Sequence, residues 1–346
     1  MCSLQEDALR RNEVGTATTM TKIDQKNQPR FILEAGFLFW EKEGYNGARK
    51  PFFLKKFMPP KLFDTHTHFN FNAFKDDSEE VMQRTLEEDV WFINVGAEAR
   101  TSERAMKMTE KYPQGVYASV GLHPIHTYDD KLAEVVNGEK VEFVTKAENF
   151  DPQFYENLIK SSDKVVAVGE TGLDYFHIRK FDPVLQEELR QKQKEIFALQ
   201  IDLAFRNNKP LVLHCRPTEN YNAYVDLLAI LKENKDKLLD NPGVIHCFSA
   251  NLEIMREFLE MGFCLGFNGI ITFTSAYDNL VQEAPLSKIL LETDSPWLAP
   301  VPFRGKRNES IYVQEVAKKI GELKKMSFEE VAEATTENTK RVFGIE

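Results

Sequence analysis

Five of the seven histidines in this chain fall at the ends of short apolar runs. His66 and His68 lie in Asp64-Thr65-His66-Thr67-His68, directly after Leu62-Phe63. Residues two apart on an extended segment point to the same side, so these imidazoles project together. His123, His214 and His246 each follow another such run, and further runs end in Glu170 and in Glu292-Thr293-Asp294. Imidazoles and carboxylates aimed at one point can hold a divalent cation. A lone H-x-H pair is a modest signal, and taken singly each of these histidines is as well explained by ordinary packing. Scattered structural histidines would rarely all sort to strand ends, and that joint pattern carries the argument.

The elements that must position these groups follow a rhythm. From Lys61 onward, eight apolar or β-branched runs (61–65, 91–95, 116–120, 165–169, 211–213, 244–245, 263–266 and 289–291) alternate with helical patterns such as 78–88, 102–112 and 185–207. The last of these places Leu189, Ile196, Leu199 and Leu203 on one stripe, which suits packing against a sheet. The alternation predicts an α/β fold, a closed (β/α)8 barrel of the TIM type, with a doubly wound open sheet as the other arrangement. In a barrel the C-terminal strand ends converge on one face. The region around Pro183 and the charged stretch 129–151 interrupt the rhythm, and the second reads as an insertion in the loop after the third strand. C-terminal helices are expected at 310–323, 327–334 and 336–343, the second opening on a capping box from Ser327.

Ligand chemistry then distributes the roles. His66, His68 and Asp294 suit one divalent ion, His214 and His246 a second, and Glu170 can bridge the two, holding them ~3.5–4 Å apart. A water between such ions is acidified toward neutrality, and Asp294 is placed to orient it or accept its proton. Mixed nitrogen and oxygen donors without thiolate leave Mg, Mn and Zn open. Cys215 and Cys247 point away from the ligands that precede them and read as small buried apolar residues.

Composition sets outer limits. The formal charge of −10 argues against a protein that coats nucleic acid without sequence preference, but not against an enzyme with a local basic patch. Residues 1–61 hold 11 Lys/Arg against 7 Asp/Glu, whereas the rest is strongly acidic. Residues 1–57 therefore read as an N-terminal extension, without assigned chemistry, outside a catalytic unit at 58–346. No apolar run approaches the ~20 residues of a membrane span, and Glu6, Asp7, Arg10 and Arg11 make the first twelve residues unlike a secretory signal. Four cysteines without C-x-x-C spacing read as reduced thiols in an intracellular protein, cytoplasmic with the nucleus as a second location.

Together these residues resemble the TatD-related metal-dependent deoxyribonucleases of the amidohydrolase-like superfamily. The resemblance rests on Asp64-Thr65-His66-Thr67-His68, Val120-Gly121-Leu122-His123-Pro124 and Val168-Gly169-Glu170-Thr171-Gly172-Leu173-Asp174-Tyr175. It continues through Leu213-His214-Cys215-Arg216, Ile245-His246-Cys247-Phe248-Ser249, the run from Leu291 to Pro300, and the tail Val301 to Asn308. It implies a barrel with a two-metal site that hydrolyses DNA phosphodiesters, Mg-dependent, as an exonuclease with endonuclease activity in some members. The family's ligand positions map onto His66, His68, Glu170, His214, His246 and Asp294, with Glu170 and Asp294 as the catalytic pair. A 3′–5′ exonuclease favouring single-stranded ends is the expectation. A further histidine is expected directly after Gly-x-His-Pro; here Ile125 intervenes and His126 follows. Where the family has a proline, this chain carries Asn308-Glu309-Ser310.

A DNA substrate needs cations near the ions. Arg216 shares a strand face with His214, Arg304, Lys306 and Arg307 follow the last ligand strand, and His123 is placed to meet the scissile phosphate. Tyr175, Phe176 and Trp297 could stack unpaired bases. Two rivals remain. Other barrels of the superfamily hydrolyse amides or lactones and commonly use a carboxylated lysine on the fourth strand; here Lys164 lies at that strand's wrong end. A non-catalytic protein that kept the barrel would be marked by a lost ligand, and none is lost.

Overall fold

The computed structural model describes residues 61–346, together with the backbone of two strands further upstream, β1 (Arg30–Glu34) and β2 (Phe37–Glu41). The remainder of 1–60, most of the stretch read as an extension, lies outside the described residues. β1 and β2 pair antiparallel, Arg30 opposite Glu41 and Glu34 opposite Phe37, within the stretch read as an extension. The chain divides after Pro59.

Eight parallel strands form the second unit. They are β3 (Leu62–Thr67), β4 (Val90–Val95), β5 (Val116–Val120) and, after a hairpin of β6 (Asp130–Val136) and β7 (Glu139–Thr145), β8 (Val165–Asp174), β9 (Leu211–Arg216), β10 (Gly243–Ile245), β11 (Cys264–Phe267) and β12 (Ile289–Leu291). Each barrel strand hydrogen-bonds the next in this order. Parallel strands covered on both faces carry near-continuous apolar runs, which is why β3, β8, β10, β11 and β12 are buried at every position. Phe63, Ile93, Ala167, Val212, Val244, Cys264 and Leu290 pack across the strands, and Val342, Phe343 and Ile345 from the C-terminus join them.

The helices are α1 (Ser78–Glu87), α2 (Ala99–Thr109), α3 (Pro152–Ser161), α4 (Pro183–Arg206), α5 (Ala223–Glu233), α6 (Leu252–Glu260), α7 (Asp278–Glu283), α8 (Val313–Lys324) and α9 (Phe328–Phe343). Pro183, read as an interruption, is the first residue of α4. It needs no amide partner there, and the Asp182 carboxylate accepts from the amides of Val184 and Leu185. The two terminal helices expected at 327–343 are one. The hydroxyls of Thr335 and Thr339 donate to carbonyls one turn back, Val331 at 2.8 Å and Thr335 at 2.9 Å, so the β-branched pair at 335–336 does not break α9.

The stretch 129–151 is an insertion after the third barrel strand, as expected, and it folds as a hairpin. Asn137 and Gly138, at φ of 55° and 76°, make the tight turn of the β6–β7 hairpin. Its base is held by an ion pair from Lys180 to Asp130 at 2.5 Å, and at its tip the Asn137 side chain accepts from the amide of Arg307. It therefore reaches from the rim after β5 to the loop beyond β12.

The ring closes between its first and last strands. The Thr65 hydroxyl donates to the Leu291 carbonyl, the Asp294 amide to His66, and the His68 amide to Ser295. Asp64, wholly buried, accepts from the amide and hydroxyl of Thr293 at 2.9 and 2.6 Å and from the His66 amide at 3.2 Å. Removing a buried acceptor strands its donors. Asp64→Ala is expected to cost about 2–4 kcal/mol of stability, measured by denaturant unfolding; a midpoint matching wild type would show that the seam does not depend on this carboxylate.

Candidate metal centre

β3 ends with His66 and His68 side by side because alternate residues of a strand share a face. Their Nε2 atoms are 3.1 Å apart. Glu170, on β8, sets its Oε2 3.3 Å from His66 Nε2, and Asp294, just past β12, sets its Oδ1 3.5 Å from His68 Nε2. Asp294 does so from left-handed backbone, φ 56°, a conformation that strains a non-glycine residue and often marks a functional position. His246, expected beside His214, stacks on His66 with ring centres 3.6 Å apart and stands 6.5 Å from the His214 ring. Its Nε2 faces Asp294 at 3.7 Å and Glu170 at 4.0 Å. On the other side of Glu170, Oε1 meets His214 Nδ1 at 2.9 Å and His123 Nε2 at 3.5 Å. Donor atoms within 4.8 Å of one another thus form three overlapping sets: His66, His68 and Asp294; His66, Glu170 and His246; His123, Glu170 and His214. Glu170 belongs to two of them.

The second nitrogen of each ring tests whether these groups suit cations. A histidine that binds metal through one nitrogen donates from the other to a carbonyl or carboxylate. His68 Nδ1 lies 2.9 Å from the Val95 carbonyl, His214 Nε2 3.1 Å from Asp174, and His246 Nδ1 3.0 Å from Glu292, an ion contact rather than an aligned hydrogen bond. In each case the neutral ring, its proton held at the far nitrogen, turns a lone pair toward the site. His66 Nδ1 has no partner among the described residues. His123 is the opposite case. Its Nδ1 accepts from the Ile125 amide at 3.2 Å, so a neutral ring carries its proton on Nε2, toward Glu170. His123 is therefore a donor into the site, where the other imidazoles offer lone pairs. The donor set fits divalent cations at His66, His68, Asp294, His246, Glu170 and His214.

Burial and charge set the protonation of these groups. Burial pushes the Glu170 carboxyl up, but the charges of His123 and His66 and hydrogen bonds from His123 and His214 outweigh it and hold it well below the usual range. Burial drives His214 down, but hydrogen bonds and charge from Asp174 and Glu170 bring it to about 9. Glu292 and Asp294 likewise overcome burial to bring His246 to about 10. Burial dominates at His66, which is lowered, and at His123, lowered to about 4.

Two residues that orient ligands escaped the sequence analysis as such. Asp174 is wholly buried, receives His214 Nε2 and also binds His177 Nδ1 at 2.8 Å. Glu292, also wholly buried, accepts from the Cys247 amide at 2.8 Å and the Asn268 side chain at 3.2 Å. β11 gives no ligand because it makes room for Glu292: a Cβ on Gly266 would sit 2.2 Å from that carboxylate. The signal was present in Leu291-Glu292-Thr293-Asp294, where alternation puts Glu292 and Asp294 on one side. Cys247 lies beyond β10 at φ 48°, not on a strand as expected, and its role is its amide.

The expected substrate contacts divide. Arg216 is exposed and stacks on Phe176 at 3.9 Å. Arg307 forks its guanidinium onto Asp77 at 2.6 and 2.9 Å and reaches Glu309. Arg304 bonds the Ala299 carbonyl and covers Phe273, and Lys306 lies 5.9 Å from the Phe303 ring. His126 faces Glu98, not the ligands. Tyr175 is buried, with its hydroxyl on Asp226, and is no base platform. Trp297 and Phe71 both pack against His68 and line the rim beside it.

Without metal, His214 and His246 hold protons at neutral pH that a cation must displace. Affinity for a divalent ion should therefore rise with pH until about 9–10, the values of these two groups, and level off above. Titration calorimetry in buffers of differing ionisation heat should show about two protons released per protein at pH 7; no release would show that these rings bind metal already neutral.

A family model described as TatD related DNase matches residues 63–344. The uncharacterized metal-dependent hydrolase YabD of Bacillus subtilis is 39% identical over 287 residues, 82% of this chain and 99% of that protein. YcfH of Escherichia coli K12, likewise named an uncharacterized metal-dependent hydrolase, is 32% identical over 292 residues, 82% of this chain and 96% of that one. The crystal structure of YjjV, a TatD homolog from Escherichia coli K12, matches with a TM-score of 0.66 and 28% identity over 84% of this chain and all of its own. Among the described residues no helix is long and apolar enough to cross a membrane. The matched stretch contains every group of the candidate centre, and the chain belongs to the TatD related DNase family of metal-dependent hydrolases.

Proposed function

We propose that this hydrolase cleaves phosphodiester bonds in DNA with two divalent ions, Mg foremost and Mn or Zn as substitutes, working 3′–5′ from single-stranded ends. The observation that carries the reading is Glu170: one carboxylate with an oxygen turned to His66 and His68 and the other to His214 and His123. Such sharing suits a paired-cation site for in-line displacement at phosphorus. The family description points to the same substrate. Bound there, the ions would polarise the phosphoryl oxygens and acidify an attacking water.

The protein's own groups do the rest. His66, His68, Asp294 and His246 would hold one ion, and His214 would serve a second, with Glu170 available to both. Asp294, the most solvent-accessible of the carboxylates here, orients the water and takes its proton. His123 keeps a neutral Nε2–H aimed into the site, a donor for the oxygen on which charge develops. Its value of about 4 keeps it neutral from pH 5 upward. A neutral imidazole can act as electrophile because it donates without first being protonated. Nothing in the site favours amide hydrolysis, since the fourth strand offers Glu170, and Lys164 is tied to the carbonyls of Thr109 and Tyr112.

End-labelled single-stranded DNA incubated with Mg, with Mn and with chelator tests the reading. The expected result is metal-dependent laddering to mononucleotides starting opposite a 5′ label. Glu170→Ala should abolish it with the fold intact by circular dichroism. Inertness of the metal-loaded wild type would turn attention to amides and lactones. His123→Ala is expected to lower kcat about 10²–10³-fold with little change in KM, and His123→Gln, which keeps an N–H, to recover part of it; equal loss in both would show that the ring only shapes the rim.

A further inference from the structure

Phe176 follows Asp174 on the loop leaving β8, and two arginines lie on its ring. Arg179 is 3.4 Å and Arg216 3.9 Å from its centre. Two guanidiniums that near one centroid cannot share a face, so the ring is held between them. Both arginines are exposed. Arg179 donates to the Phe176 carbonyl, and neither has a carboxylate in ion-pair reach among the described residues. Elsewhere Arg84 and Arg307 are each forked onto one acid, and Arg206 bridges two, Asp202 and Glu156. In a chain with 54 acidic and 44 basic residues, two unpaired arginines around one ring stand out. An anion beside the ring would relieve their mutual repulsion.

Their place ties them to the metal centre. Arg216 is two residues beyond His214 on β9 and pairs in register with Asp174, which holds His214. The Tyr175 amide donates to the Arg216 carbonyl at 2.9 Å, locking the two loops together. Neighbouring Lys180 is spent on Asp130. With both faces covered, Phe176 cannot stack a base, contrary to the expectation from sequence. It serves instead to space and orient the guanidiniums.

We propose that Arg179, Phe176 and Arg216 form a phosphate subsite that takes the backbone phosphate next to the one at the metal centre. The proposal rests on the phosphodiester reading above. Planar guanidiniums grip phosphate through paired N–H donors, and an acidic protein needs such local positive charge to admit a polyanion.

The test uses full-length, metal-loaded protein and a fluorescent oligothymidylate with cleavage-resistant phosphorothioate linkages, followed by anisotropy across a salt series. Arg179→Ala should bind about tenfold more weakly, with the slope of log affinity against log salt reduced by about 0.7; Arg179→Lys should bind better than Arg179→Ala. On a nitrophenyl phosphodiester with a single phosphate, Arg179→Ala should keep wild-type kcat and KM. Oligonucleotide binding by Arg179→Ala with wild-type affinity and slope would overturn the subsite, as would absence of wild-type binding at low salt. Loss of activity on the single-phosphate ester would overturn it too, by showing the arginine to be structural. If wild type cleaves no phosphodiester while binding still depends on Arg179, the catalytic reading falls and the subsite stands.

Discussion

A single buried carboxylate sets the terms for this molecule. Glu170 sits among five imidazoles with almost no water to solvate it. An isolated charge there would cost several kcal/mol, so it persists only if every facing group is positive, a proton donor or a cation. That requirement explains why the site draws on strand ends all around the barrel. No one element could surround an anion with nitrogen donors, whereas a ring of parallel strands points its ends at one spot.

The same requirement divides the histidines. They are alike in sequence and differ by what touches the far nitrogen. In the neutral ring, an acceptor behind it, as at His68, His214 and His246, leaves a lone pair facing inward for a cation; an amide behind it, as at His123, leaves a proton facing inward. Asp174 and Glu292 thus matter as much as the groups they orient, and Gly266 matters because it leaves space for one of them.

Most of the barrel was legible because its strands are buried on both faces, which writes them as apolar runs, and because ligands must stand where those runs end. The site was legible as a set, though not in its pairing: His246 lies nearer His66 than His214, and spacing along the chain carries no information on which strand ends lean together. What escaped was governed by other physics. Asn137-Gly138 announces a hairpin, but the dense charges around it resemble a solvated loop. Thr335 and Thr336 lower helix propensity, yet Thr335 finds its acceptor one turn back. Arg307 looked available because its acceptor, Asp77, is 230 positions away in sequence.

The seam between β3 and the segment after β12 carries a consequence for the life of the chain. The backbone of His66 and His68 closes the ring by accepting from Asp294 and donating to Ser295, so two ligands of the first strand and one of the last are fixed by a single set of bonds. These partners are separated by more than two hundred residues, contacts of the kind that form late in folding. A chain emerging from the ribosome displays His66 early and can hold it beside Asp294 only when synthesis is nearly done. The donor groups of the first and last strands therefore come together only at the end of synthesis, and a product cut short before Asp294 lacks one member of the set formed with His66 and His68.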